Sequence, residues 1–119
     1  MNNILEEQFF QIGSQLPWEY AAPGITRQIY GHDEQIMMVK VKFELGAVGA
    51  IHQHIHVQVS YVESGAFEVT IGEEIKVLKT GDGFFVPPNV LHGSVCLEPG
   101  VLIDVFNPHR ADFLNNVSK

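Results

Sequence analysis

Gly49-Ala50-Ile51-His52-Gln53-His54-Ile55-His56-Val57-Gln58 is the stretch on which the fold and the chemistry of this chain turn. Side chains at i and i+2 of a strand point the same way. His52 and His54 are therefore expected on one face, close enough to share an ion. Neutral imidazole binds divalent ions such as Zn, Fe, Ni or Mn at about 2 Å. A His-x-His pair arises often enough by chance to mean little alone. Here a second place, Pro87-Pro88-Asn89-Val90-Leu91-His92-Gly93, brings another histidine just after a turn. Ligands drawn from two strand segments on facing sheets build a metal pocket in the mouth of a barrel. His56 shares the parity of the pair and could add a ligand. A bend after the pair would instead leave it behind the ligands or on the surface, which is the simpler reading. His32, in a turn, and His109, after Pro108, read as solvated residues.

Outward from this stretch the chain reads as short strands. Gln28–Tyr30 and Ile36–Leu45 are rich in β-formers, with Gly31-His32-Asp33-Glu34 as a turn between them. Val57–Val62 is the next strand, ended by Glu63-Ser64-Gly65. Phe67, Val69 and Ile71 alternate with Glu68 and Thr70, the period of a half-buried strand. Gly72-Glu73-Glu74 then turns a hairpin into Ile75 and Val77. Phe84–Val86, Val95–Leu97 and Val101–Phe106 follow, separated by Gly, Pro and Asp clusters, with Glu98-Pro99-Gly100 as the last turn. Trp18–Gly24 reads as loop. Helix is expected only at the two ends, weakly over residues 4–12 and over Arg110–Asn116. Strands at this spacing predict an all-β sandwich or barrel.

With 119 residues the chain suits one domain, 1–119, with a barrel over about residues 36–106 and residues 1–30 packing on or extending its sheet. Fourteen acidic against seven basic residues give a net charge of −7, which argues against nucleic acid or an anionic membrane as partner. A metal ion and one well-placed arginine could still make the site attractive to an anion. Cys96 is the single cysteine, so no internal disulfide can form and a reducing compartment fits. The start of the sequence lacks the basic and apolar runs of a signal peptide, and a cytoplasmic location is expected. Several strands are apolar on both faces, which a homodimer covering an outer sheet face would explain.

The two histidine segments resemble the two motifs of the cupin superfamily. Gly46, five residues, His52-x-His54, then Gln58 and Gly65 match the first; Gly81, Pro87-Pro88-Asn89, His92 and Cys96 match the second. Asn89 stands where that pattern has Gly, Cys96 where it has Asn, and Gln58 where it has a ligating Glu. The resemblance implies a jelly-roll, double-stranded β-helix barrel holding one divalent metal ion, Ni, Zn, Mn or Fe, through His52, His54, Gln58 and His92. Three imidazoles and an amide leave the charge of such an ion uncompensated. That favours an incoming carboxylate or enolate. It disfavours oxygen chemistry, which usually keeps two His and one carboxylate.

Val101, Ile103 and Val105 fall on one face of the last strand, and Leu102, Asp104 and Phe106 on the other. A carboxylate in an apolar strand must be paired, hydrated or functional. Asp104 could be a structural ion pair and Arg110 a solvated tail residue. Leu102-Ile103-Asp104-Val105-Phe106-Asn107-Pro108-His109-Arg110 is, however, similar to the closing segment of the small pectin-degradation cupins of the KdgF family. So are the Gln58 ligand, Gly81–Gly93, and Trp18 with Gly24-Ile25-Thr26-Arg27. This resemblance implies an enzyme that promotes ring opening and ketonisation of 4,5-unsaturated monouronates from pectin or alginate. Asp104 and Arg110 would be catalytic, and Phe106 and Arg110 would bind the anionic sugar acid. Competing readings are another metal-dependent isomerase or a dioxygenase on a small acid, and a non-catalytic sugar-binding cupin.

Overall fold

The computed structural model describes residues 9–115. Eight antiparallel strands make up most of them: β1 (Glu19–Ala22), β2 (Ile25–His32), β3 (Met37–Phe43), β4 (Val48–His52), β5 (Val57–Ile71), β6 (Glu74–Lys79), β7 (Gly83–Val86) and β8 (His92–Asn107). A 3₁₀ turn at Gly13–Gln15 precedes them and a short helix, α1 (Ala111–Asn115), follows. Among the described residues no helix is long and apolar enough to cross a membrane.

β5 and β8 organise the fold. Residues 57–64 of β5 pair with residues 101–107 of β8, and residues 66–71 of β5 pair with 92–98. Between these two blocks the register slips at Ser64 and Ala66. Such bulges bend both strands. On one side of the bend β1, β2, β3 and β7 complete the sheet; on the other, β4 and β6 do. Glu63-Ser64-Gly65 and Glu98-Pro99-Gly100 are thus crossing points of two long strands, not the strand-ending turns that their composition suggests. Both glycines are required there. A Cβ on Gly65, which has φ +85°, would lie 2.6 Å from the Glu98 carbonyl oxygen, and one on Gly100 would collide with the Ser64 carbonyl.

The core sits between the two halves. Ile25, Phe43, Val62 and Leu102 come from one half and Phe67, Val69 and Cys96 from the other, all buried in one cluster. Phe43 and Phe67 meet edge to face with centroids 5.0 Å apart, a favoured aromatic geometry. Fully burying each such ring contributes about 1.5–3 kcal/mol. Cys96 belongs to this core, where its Sγ lies 3.0 Å from the Glu98 carbonyl oxygen.

Other boundaries also differ from the sequence reading. Glu19–Ala22 is strand, not loop, because β1 pairs along β2 with Glu19 opposite Arg27. β2 runs on to His32, and the turn proper is closed by Asp33, whose Oδ1 accepts the amides of Gln35 and Ile36 at 2.8 and 3.2 Å. Of the expected N-terminal helix, residues 4–8 lie outside the described residues and 9–12 are not helical. The turn that follows is tied down by buried Gln28, whose Nε2 donates to the carbonyls of Gly13 and Leu16.

Candidate functional site

The histidines converge at one end of the barrel. His52 ends β4 and lies opposite His92, the first residue of β8. His54 is not on a strand: β4 has stopped, and the loop before β5 brings its ring in. The amide of Asn89 donates to the His54 carbonyl at 2.7 Å and ties this loop to the turn before His92. Asn89 has φ +64°, a conformation that Asn tolerates better than most residues. This explains how it stands where the motif has Gly.

Ring centroids of His52 and His92 are 4.3 Å apart, and those of His54 and His92 4.7 Å. One nitrogen from each of the three falls within 4.8 Å of the other two. Every Nδ1 is already engaged by a carbonyl: His52 by Ala50 at 2.8 Å, His54 by His56 at 3.0 Å, His92 by Val90 at 2.9 Å. A neutral imidazole has one N–H. With that proton on Nδ1, each Nε2 presents a lone pair, the orientation that metal-binding histidines take. Burial drives the His92 pKa down to about 4 and lowers that of His54, so both stay in the neutral, ligating form.

Two details show that these residues fit a cation. Nε2 of His92 is buried with no hydrogen-bond partner. His54 Nε2 lies 3.0 Å from Gln58 Oε1. With the His54 proton on Nδ1, that second contact sets lone pair against lone pair, which a shared cation relieves. Two ligand atoms each about 2.1 Å from one ion stand about this far apart.

Gln58 is buried and held by a directed chain. Its Nε2 donates to Ser60 Oγ at 2.9 Å, and Ser60 Oγ donates to Asp104 Oδ1 at 2.6 Å. The carboxylate at the end accepts only, so the chain turns the amide oxygen of Gln58 toward the imidazoles. Gln58 and Ser60 share a face of β5, and Ser60 lies directly opposite Asp104 on β8. Ser60 was not legible as a site residue. Its parity with Gln58 marked the face, but its partner is set by register. Ser60→Ala should weaken metal binding about 10- to 100-fold, the usual cost of removing such support, with Ser60→Thr recovering most of it. Competition against a chromogenic chelator measures this; unchanged affinity would mean that Gln58 is oriented by something else.

Asp104 projects inward, as its place on one face with Leu102 and Phe106 implied. Burial pushes its pKa up to about 6, against the Ser60 hydrogen bond and the charge of Arg110. It lines a cavity of about 280 Å³ together with Arg27, His52, Gln58, His92 and Arg110. Phe106 and Phe113 supply apolar wall. Arg110 is no solvated tail residue: it stacks on Phe113 at 4.2 Å and Phe106 at 5.1 Å. Its fork holds Asp112 through Nε at 3.0 Å and Nη2 at 2.9 Å. Burial works against the Asp112 carboxylate, but these bonds hold its pKa below the usual range. α1, expected over Arg110–Asn116, forms at Ala111–Asn115, with Asn116 outside the described residues, and carries Phe113 to the cavity.

His56 stands outside the triad. Its ring lies behind His54, centroids 5.3 Å apart, and its Nε2 contacts the His109 carbonyl at 3.2 Å. It acts on the site through the carbonyl that holds His54. His109 is accordingly half-buried, while His32 is exposed as expected.

The cupin domain family matches residues 39–106. A pectin degradation protein, KdgF of Dickeya dadantii (strain 3937), is 50% identical over 105 residues, covering 87% of this chain and 96% of that protein. This chain is a cupin of the KdgF family. The crystal structure of an RmlC-like cupin from Shewanella frigidimarina is 48% identical with a TM-score of 0.87, covering 88% of this cupin and 95% of that chain. KdgF from Halomonas sp. is 45% identical with a TM-score of 0.84, covering 87% and 96%. Domains of the manganese-containing oxalate decarboxylase of Bacillus subtilis share the fold at 23% identity and a TM-score of 0.71.

Proposed function

We propose that this cupin promotes ring opening and ketonisation of 4,5-unsaturated monouronates released from pectin or alginate. The observation that carries the reading is one small cavity lined by His52, His92, Gln58, Asp104 and Arg110, with His54 completing the histidine triad against His92. Its volume, about 280 Å³, is at the low end for ligand pockets and suits a single sugar ring. The 50% identical relative being a pectin degradation protein supports the same substrate class.

His52, His54, Gln58 and His92 would hold the divalent ion, Ni, Zn, Mn or Fe, whose positive charge stabilises carboxylate or enolate oxygen. Arg110 adds a fixed positive charge; Asp112 occupies two of its five N–H donors, and the rest remain for substrate oxygen. Phe106 and Phe113 give the ring an apolar surface and limit water. Asp104 moves the proton. In ring opening Asp104 takes the proton of the anomeric hydroxyl, the bond from the anomeric carbon to the ring oxygen breaks with its electron pair going to that oxygen, and an aldehyde and an enolate form. In ketonisation Asp104 returns that proton to C4 and the enolate becomes a ketone. The proton taken equals the proton returned, so one carboxyl group serves both steps and the reaction is an isomerisation.

Freshly lyase-generated unsaturated monouronate tests the reading. Its conjugated-alkene absorbance should fall faster than the spontaneous rate with metal-replete protein, and chelator should remove the difference. No acceleration by metal-replete protein would refute the assignment of substrate.

The acting form is a cytoplasmic homodimer. Val59, Tyr61, Phe85 and Met38 are exposed on the outer face of the sheet. They adjoin in register, with Val59 opposite both Phe85 and Val105, and Met38 opposite Val105. A second copy laid on this face covers them symmetrically. Light scattering should give the dimer mass for the wild type and the monomer mass for Val59→Glu; a monomeric wild type at micromolar concentration removes the dimer.

A further inference from the structure

Arg27 is the residue of the cavity that this reaction scheme leaves without a task. It shares a face of β2 with Ile25 and Ile29, and its side chain enters the barrel beside Asp104 and Arg110. It is only 9% exposed. A guanidinium is always charged and carries five donors, and burying it is costly unless it is paired. Among the described residues its side-chain acceptor is Glu19, reached by Nε alone at 3.3 Å. Asp104, the carboxylate of the cavity wall, is taken by Ser60. Phe113 packs against the Arg27 guanidinium with 3.8 Å from Cζ to the ring centroid, the same ring that meets Arg110 at 4.2 Å. The protein carries a net charge of −7, yet this cavity gathers two guanidiniums and two histidines of the metal triad around one carboxylate.

Arg110 is the less available of the two, since its bidentate edge already holds Asp112. We propose that Arg27 is the residue that receives the carboxylate of the sugar acid, through its terminal nitrogens, with Phe113 fixing the plane of the guanidinium. Glu19 anchors the Nε end and leaves the two-nitrogen edge for the ligand, the geometry in which arginine recognises a carboxylate. Arg27 thus selects uronates over neutral sugars. The inference rests on the proposed substrate class only in that the ligand is a sugar acid.

Equilibrium binding of D-galacturonate and of D-galactose, its neutral counterpart, to metal-replete protein tests this independently of turnover. Wild type should prefer the uronate, and Arg27→Met should weaken uronate binding about 10- to 100-fold, as expected for a lost charge-assisted pair, leaving galactose unaffected. Arg27→Lys, which keeps the charge and loses the fork, should fall between. If Arg27→Met does not melt as a folded protein, the lysine variant decides: weaker uronate binding supports the assignment and unchanged binding overturns it. An equal preference in wild type and Arg27→Met, or no preference in wild type, also overturns it. With unsaturated monouronate as substrate, Arg27→Met should raise KM by a similar factor and change kcat little. A wild type that binds galacturonate through Arg27 but does not accelerate ketonisation would sink the proposed reaction and leave the carboxylate site standing.

Discussion

Asp104→Asn is expected to lower turnover of unsaturated monouronate by about 10²–10⁴-fold, the usual contribution of a general acid–base, and to leave metal content unchanged. The substitution is nearly isosteric. It keeps an acceptor for the Ser60 hydroxyl, so Gln58 still has its support and the triad is undisturbed. What is lost is a group able to take and return a proton. Burial, opposed by Ser60 and Arg110, places the pKa of that group at about 6, near the working range of a base at neutral pH. The same shift predicts how stability depends on pH in metal-free protein. The folded state keeps the Asp104 proton up to about pH 6, whereas the unfolded chain releases it near its ordinary value of 3.8. Between these values the folded state binds more protons, so wild type loses stability relative to Asp104→Asn as pH rises through that window. Melting curves at several pH values should show the gap open and then level off above pH 6. A variant that retains most of its turnover would remove Asp104 from the chemistry.

His92→Ala is expected to have a comparably large effect by a different route, the loss of metal binding. His92 is the buried member of the triad, with Nε2 unpartnered and its proton driven off by burial down to about pH 4. It packs between His52 and His54, so its removal takes the central ligand and leaves the other two facing a gap. Wild type should gain melting temperature on addition of a divalent ion, since a ligand at 1,000 times its Kd stabilises the folded state by about 4.1 kcal/mol. His92→Ala should gain little, and its turnover should match that of chelated wild type. A variant whose melting point still rises with the ion would show that His52, His54 and Gln58 suffice.

Much of this site could be read from local pattern because its physics is local. Gln58 and His92 carry their spacing to the histidine pair in the sequence, and Asp104 and Phe106 declare their face by alternating with Val105. One expectation reached the right result by the wrong route, and another is overturned by the fold. His52 and His54 converge through a loop clamped by Asn89, not through strand alternation, and the Glu98-Pro99-Gly100 turn is a bend within one long strand. Gly and Pro signal a change of direction, but whether hydrogen bonding continues through it depends on the strand alongside.

The sequence by itself determined that strands and turns alternate along the chain, that two separated segments supply imidazoles, and that a carboxylate sits on an inward face. Only the tertiary structure decided who meets whom. Ser60 meets Asp104 because β5 and β8 pair in one register, and a slip of one residue would turn Ser60 outward. Arg27, Arg110 and Phe113 meet because β2 joins the sheet beside β3 and α1 folds back to the cavity. Periodicity tells a side chain which way to face; long-range pairing and core packing choose what it finds there.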